Sequence, residues 1–80
     1  MGRPEKLLPK ILSGKADANV RFGDLRALLR RLGFQEQIRG GHHVFRKAGT
    51  GIINLQPAGS HAKEYQVRQV RKVLSEANLE

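Results

Sequence analysis

The sequence predicts an α+β domain in which a helix, three strands and a second helix follow one another, after a short N-terminal helix. Two stretches carry apolar residues three and four positions apart, which is helical spacing. Between them lie three short strand-like segments separated by glycine-rich turns. Because strands joined by short turns pair antiparallel, we expect a three-stranded sheet with both helices on one face and the other face open to a ligand.

The helices are predicted from apolar stripes and end signals. The first main helix carries the stripe Leu25, Leu28, Leu29 and Leu32 and ends before Gly33, which suits a left-handed C-terminal cap. The last helix runs from about residue 64 to about residue 77, with the apolar face Val67, Val70, Val73, Leu74 and Ala77. Near the N-terminus, apolar residues 7, 8, 11 and 12 predict a third helix. Pro9 lies inside this helix, so it is short, kinked or starts late, and it ends at Ser13-Gly14.

Three strands are predicted over residues 34–39, 42–46 and 52–55. The first two are joined by the tight turn Gly40-Gly41, and a loop containing Gly49 and Gly51 leads to the third. Residues 57–63 read as a polar loop before the last helix, and residues 15–21 as a connector.

Size and charge limit the classes of function. Eighty residues form one small domain, and 15 Lys and Arg against 7 Asp and Glu give a net charge of +8. This surplus favours an anionic partner, either a nucleic acid or an acidic protein. The chain has no cysteine, so disulfides and thiolate chemistry are excluded. No apolar run reaches the length of a membrane span and the start does not resemble a signal peptide, so we expect no membrane association and a cytoplasmic location.

The segment from Arg39 to Arg46 holds the strongest candidate site. Two adjacent histidines, His42 and His43, follow the glycine turn, and imidazoles exchange protons near neutral pH. Successive side chains of a strand face opposite sides of the sheet. Because Phe45 should face the helices, His43 should lie on that side, and His42 should stand on the open face. No carboxylate lies beside these histidines in the sequence.

Cationic residues and glycines near the histidines suggest phosphate contacts. Gly40 and Gly41 permit close approach of a substrate backbone, and their N–H groups suit a phosphate. The candidate substrate-binding cations are Arg39, Arg46, Lys47, Arg68 and Lys72.

With these motifs, the chain resembles the HicA family of toxins. The family pattern is an amphipathic helix ending in Leu-Gly-aromatic, a strand, a Gly-(Ser/Gly)-His-(His/Arg)-x-aromatic motif, a short apolar strand near a proline, and a final helix. The matching segments are Leu32-Gly33-Phe34, residues 40–45, residues 52–57 and residues 67–74, so the resemblance covers residues 22–79. Two departures are the N-terminal region, residues 3–14, and Glu64-Tyr65-Gln66 in place of Gly-Thr at the start of the last helix.

The resemblance implies a double-stranded-RNA-binding-domain-like fold and an mRNA interferase activity. It implies metal-independent cleavage of mRNA, with no cofactor, by one catalytic histidine that corresponds to His42. His43 and His61 are candidates for a second proton carrier. It also implies neutralisation by a HicB-type antitoxin, with an oligomer in that complex as an option. The predicted organisation is an N-terminal helix and connector over residues 1–21 and a HicA-like domain over residues 22–80.

Two other functions fit the same residues. One is a non-catalytic RNA-binding module of this fold that uses charge and shape alone. The other is a protein-interaction domain whose basic surface meets an acidic partner. Strong salt dependence of RNA binding would distinguish the first of these from the second.

Overall fold

The computed structural model describes residues 6–15 and 17–77, and its helices and first three strands follow the predicted order. The helices are α1 (Leu7–Ser13), α2 (Phe22–Arg31) and α3 (Glu64–Glu76), with one turn of 3₁₀ helix over Asp17–Asn19. The strands are β1 (Gln35–Arg39), β2 (His42–Arg46), β3 (Ile53–Leu55), β4 (Pro57–Ala58) and β5 (His61–Ala62). Residues 1–5 of the predicted N-terminal region (residues 1–21) lie outside the described residues. The same holds for residues 78–80 of the predicted domain (residues 22–80).

The main sheet is an antiparallel meander in the order β1-β2-β3. A two-residue turn joins β1 to β2, so that Arg39 pairs directly with His42. Gly40 has a φ of 56° in this turn, because tight hairpin turns need a positive φ at their first central residue to match the twist of the strands. The turn therefore sets the register of the whole hairpin, including the histidine pair.

Both main helices pack on one face of this sheet, which confirms the predicted layering. On that inner face Phe45, Ile53 and Leu55 are fully buried, whereas Asn54 on the other face is exposed. The helices supply the rest of this core through Leu25, Leu28, Leu29, Val67, Val70 and Leu74, all of them fully buried. Each such side chain contributes about 1.5–3 kcal/mol when it leaves water. This burial holds the sheet against the helices and leaves its second face open.

Helix α1 belongs to the same core. Ile11 is fully buried, and its carbonyl oxygen accepts a hydrogen bond from Arg71 Nη1 at 3.2 Å. The same nitrogen donates to Asp17 Oδ1 at 2.9 Å, which ties the connector to α3. Pro9 lies in the first turn of α1, where backbone N–H groups have no partner within the helix. Within the described residues α1 is therefore a short helix, which is one of the predicted alternatives.

The segment predicted as a polar loop contains a small hairpin instead. Strands β4 and β5 pair antiparallel, and β5 continues onto the chain before α2 through a bridge between Arg21 and His61. Two further bonds close this junction, from Phe22 N–H to the carbonyl of Ser60 at 3.0 Å and from Ala62 N–H to the carbonyl of Val20 at 2.9 Å. Strands of two residues have no periodicity to detect, so the sequence could not predict this hairpin.

Among residues 6–15 and 17–77, no helix is both long enough and apolar enough to cross a bilayer.

Candidate functional site

The open face of the sheet consists of seven side chains in three cross-strand rows. The first row pairs Arg39 with His42, and the third pairs Gln35 with Arg46. The middle row is Gln37, Val44 and Asn54. All of them are exposed except Val44, which is half-buried. This surface, called the open face below, is where a ligand can contact the sheet without displacing a helix.

His42 occupies the hairpin end of the open face. Its side chain is exposed and lies directly across the strand pair from Arg39. Residues that face each other in antiparallel strands have Cβ atoms about 4.5–5.5 Å apart, so one phosphate can reach both groups. An exposed imidazole beside a guanidinium can move a proton while the cation stabilises negative charge.

His43 lies on the inner face, as strand alternation predicts. Its Nδ1 is 2.7 Å from Oε2 of Glu36, and its ring meets the Phe22 ring edge-on, with centroids 4.9 Å apart. Only 13% of the His43 side-chain surface is exposed. Since the sheet separates this imidazole from that of His42, the two cannot act together on one phosphate.

Glu36 is a buried carboxylate that was not among the site residues predicted from the sequence. Arg26 contacts both of its oxygens, Nε at 2.6 Å and Nη2 at 3.0 Å, and 7% of the Glu36 side chain is exposed. The hydrogen bonds from Arg26 are the main cause of a lowered Glu36 pKa, and the bond to His43 adds to it, while burial acts in the opposite direction. The hydrogen bond to Glu36 likewise raises the pKa of Arg26.

A sequence signal for this contact existed in the hairpin register. A two-residue turn at Gly40-Gly41 pairs Ile38 with His43 and Glu36 with Phe45. Glu36 is therefore the diagonal neighbour of His43 on the same face, within reach of long side chains. No carboxylate is close to the histidines along the sequence, but the fold brings Glu36 beside His43.

Lys47 is not part of the open face. Its Nζ donates a hydrogen bond to the carbonyl oxygen of Leu32, just after the end of α2, and lies 5.9 Å from the centre of the Phe34 ring. A cation at the C-terminal end of a helix is favourable because the helix dipole is negative there. The structure therefore gives this ammonium a structural partner on the helix side.

An open groove of about 600 Å³ adjoins the third row of the open face. It is lined by Gln35 and Arg46 from the sheet, by Thr50 and Ile52 from the loop before β3, and by the Lys47 segment. Ile52 is 56% exposed. The groove thus combines a guanidinium, polar groups and an apolar side chain.

The two glycines of the turn leave the hairpin end uncrowded. A β-carbon at Gly40 would meet nothing within 4 Å, and one at Gly41 would lie 3.6 Å from Nε2 of Gln56. Both positions are exposed, so a substrate backbone can approach them.

The remaining candidates lie away from the open face. Arg68 and Lys72 are exposed on α3, which packs on the inner face, and Arg68 Nη1 is 3.8 Å from Oε2 of Glu64. His61 is exposed in β5, where its Nδ1 is 3.1 Å from the Ser60 hydroxyl. Of the predicted site residues, Arg39, Gly40, Gly41 and His42 lie together at the hairpin end, and Arg46 lies at the other end of the same face.

Among residues 6–15 and 17–77, no three His, Cys, Asp or Glu side chains are grouped so that they could hold a metal ion.

No protein-family model matches this chain, and no curated protein or solved structure is significantly similar to it. The resemblance to HicA toxins therefore depends on the glycine–histidine–aromatic motif and on the order of elements.

Proposed function

We propose that this chain is a toxin of the HicA type, a metal-independent endoribonuclease that cleaves mRNA with His42 as its catalytic residue. The observation that carries the proposal is the exposed His42 directly opposite Arg39, beside an uncrowded glycine turn. The net charge of +8 supports a polyanionic substrate.

The proposed reaction needs one proton acceptor and one cation. His42 removes the proton from a ribose 2′-hydroxyl, whose oxygen then attacks the adjacent phosphorus. The bond from phosphorus to the 5′-oxygen breaks, leaving a cyclic phosphate, and the imidazolium returns its proton to the leaving oxygen. Such acid–base catalysis contributes about 10²–10⁴-fold in rate. Arg39 stabilises the negative charge that develops on the phosphorane.

The geometry does not support His43 or His61 as the second proton carrier. His43 lies across the sheet from His42 and is engaged by Glu36, and His61 belongs to the small β4–β5 hairpin. Among the described residues, the open face carries no other imidazole and no carboxylate. We therefore assign both proton transfers to His42, which is consistent with modest turnover.

We further propose a protein partner and a cytoplasmic location. A HicB-type antitoxin would neutralise the toxin by covering the open face, in a complex that is either a heterodimer or a larger oligomer. An mRNA substrate places the protein in the cytoplasm.

The test compares the variants His42→Ala and His61→Ala with the unchanged protein in RNA cleavage and in growth inhibition on expression. We expect His42→Ala to abolish both while circular dichroism shows an intact fold. His61→Ala is the matched control, because it removes an exposed imidazole outside the open face, and it should retain both. Full cleavage by His42→Ala would reject the assignment.

The two alternative functions are further outcomes of this test. RNA binding that weakens steeply with salt, without cleavage by any of the three proteins, would indicate a non-catalytic RNA-binding module. An absence of RNA binding would leave the protein-interaction domain.

A further inference from the structure

We infer that the open face binds a single-stranded segment of RNA that runs along β2, with a second phosphate held by Arg46 at the groove. This inference rests on the proposed function for its substrate, RNA, and adds the form of that substrate and a second subsite.

Positive charge is placed at both ends of the open face. Arg39 and His42 lie at one end of the open face and Arg46 at the other, four residues along β2 from His42. At the rise of a β-strand this separation is roughly 13 Å. None of the seven open-face side chains is acidic, so the path between the two ends is not repulsive to a phosphate chain.

The middle row of the open face carries side-chain amides. Gln37 and Asn54 flank Val44 and are exposed. An amide both donates and accepts hydrogen bonds, which suits the edges of bases. In an A-form duplex the base edges of the major groove are out of reach of side chains, whereas single strands present their edges. Three strands span only about 10 Å, which is the width of one extended strand and not of a duplex.

The groove beside Arg46 joins a cation to an apolar surface. Arg46 is exposed, and Ile52 beside it in the groove is an exposed large apolar side chain. A guanidinium next to an apolar surface matches the two parts of a nucleotide, with the phosphate on Arg46 and the base or ribose on Ile52. Thr50 and Gln35 add polar groups to the same groove.

The experiment measures binding of a fluorescent single-stranded RNA of about eight nucleotides and of the matched duplex, over a range of salt concentrations. All proteins carry His42→Ala so that the RNA stays intact. Arg46→Gln is compared with Lys10→Gln, which removes one positive charge from the exposed surface of α1. We expect Arg46→Gln to weaken single-strand binding about tenfold and to reduce the salt slope by about one. Lys10→Gln should leave both nearly unchanged.

A second pair of variants tests the middle row. Gln37→Ala and Asn54→Ala remove no charge, so the salt slope should stay constant. If the amides contact bases, the order of affinities among single-stranded homopolymers should change. An unchanged order in both variants would remove the middle row from the inference.

Two results would overturn the subsite as a whole. One is duplex RNA that binds as tightly as the single strand, and the other is an Arg46→Gln variant that behaves like Lys10→Gln. These failures are distinct from failure of the proposed function. Cleavage is measured in parallel in proteins that retain His42, with and without Arg46→Gln. Binding that depends on Arg46, with no cleavage by the protein that retains His42, would keep the subsite and reject the nuclease. Cleavage together with binding that does not depend on Arg46 would do the reverse.

Discussion

The carboxylate of Glu36 lies 2.7 Å from Nδ1 of His43 and holds that imidazole on the inner face of the sheet. The same carboxylate takes two hydrogen bonds from Arg26 of α2. One buried acid thus links helix α2 to both strands of the hairpin that carries His42. This charge network lies on the inner face of the hairpin, opposite the face that carries His42.

Glu36→Gln should destabilise the protein by about 2 kcal/mol near neutral pH, because hydrogen bonds to a charged group are lost. The folded state lowers the pKa of Glu36, so its stabilisation is fully present above the ordinary glutamate pKa. It is lost as the pH falls through the lower pKa of the folded protein. When the pH is lowered from neutral to acidic, the variant should therefore lose less of its free energy of unfolding than the unchanged protein does. Urea denaturation at the two pH values measures this difference.

Glu64→Gln is the control for this prediction. Glu64 is exposed and lies 3.8 Å from Arg68, and exposed ion pairs contribute little. If the two variants gave the same denaturation curves, the buried network would have no special role in stability.

His43→Ala should lower the free energy of unfolding by about 1–3 kcal/mol, since it removes the bond to Glu36 and the ring contact with Phe22. His42→Ala should change it by less than about 0.5 kcal/mol, because that side chain is exposed. At a temperature where both variants are folded, His42→Ala should lose RNA cleavage, whereas His43→Ala should retain it. A folded His43→Ala protein without any cleavage would make His43 catalytic and would contradict the geometry.

Gly40→Ala and Gly41→Ala should differ although the residues are adjacent. Gly40 has a φ of 56°, which costs an alanine about 1–2 kcal/mol, whereas Gly41 does not have a positive φ. A β-carbon at Gly41 would make only an ordinary contact with Gln56, at 3.6 Å. Thermal denaturation should show the loss for Gly40→Ala alone, and equal losses would argue against this turn geometry.

Arg71→Ala should loosen α1 from the rest of the domain. The guanidinium bonds to the carbonyl of Ile11 and to Asp17, so its removal leaves a half-buried carboxylate without this partner. Amide hydrogen exchange should become faster in residues 7–15, with smaller changes in the sheet. Lys72→Ala is the neighbouring exposed control on α3, and similar exchange in the two variants would show that Arg71 does not anchor α1.

Most of the fold could be predicted because its signals are local. The leucine stripe of α2 and the valine stripe of α3 have helical periods, and Gly40-Gly41 marks a turn between alternating segments. The small β4–β5 hairpin escaped prediction because its strands have two residues each and are stabilised by bonds to the chain around Arg21 and Phe22.

The sequence by itself determined the order of elements and the separation of the two histidines, because alternation along a strand is a property of the backbone. Only the tertiary structure decided which charged groups meet. In the folded chain Glu36 contacts His43, and Lys47 contacts the C-terminal end of α2. Arg68 and Lys72 lie on α3, in the helix layer. Long charged side chains reach several ångströms in many directions, so their partners are set by register and helix packing and not by distance along the chain.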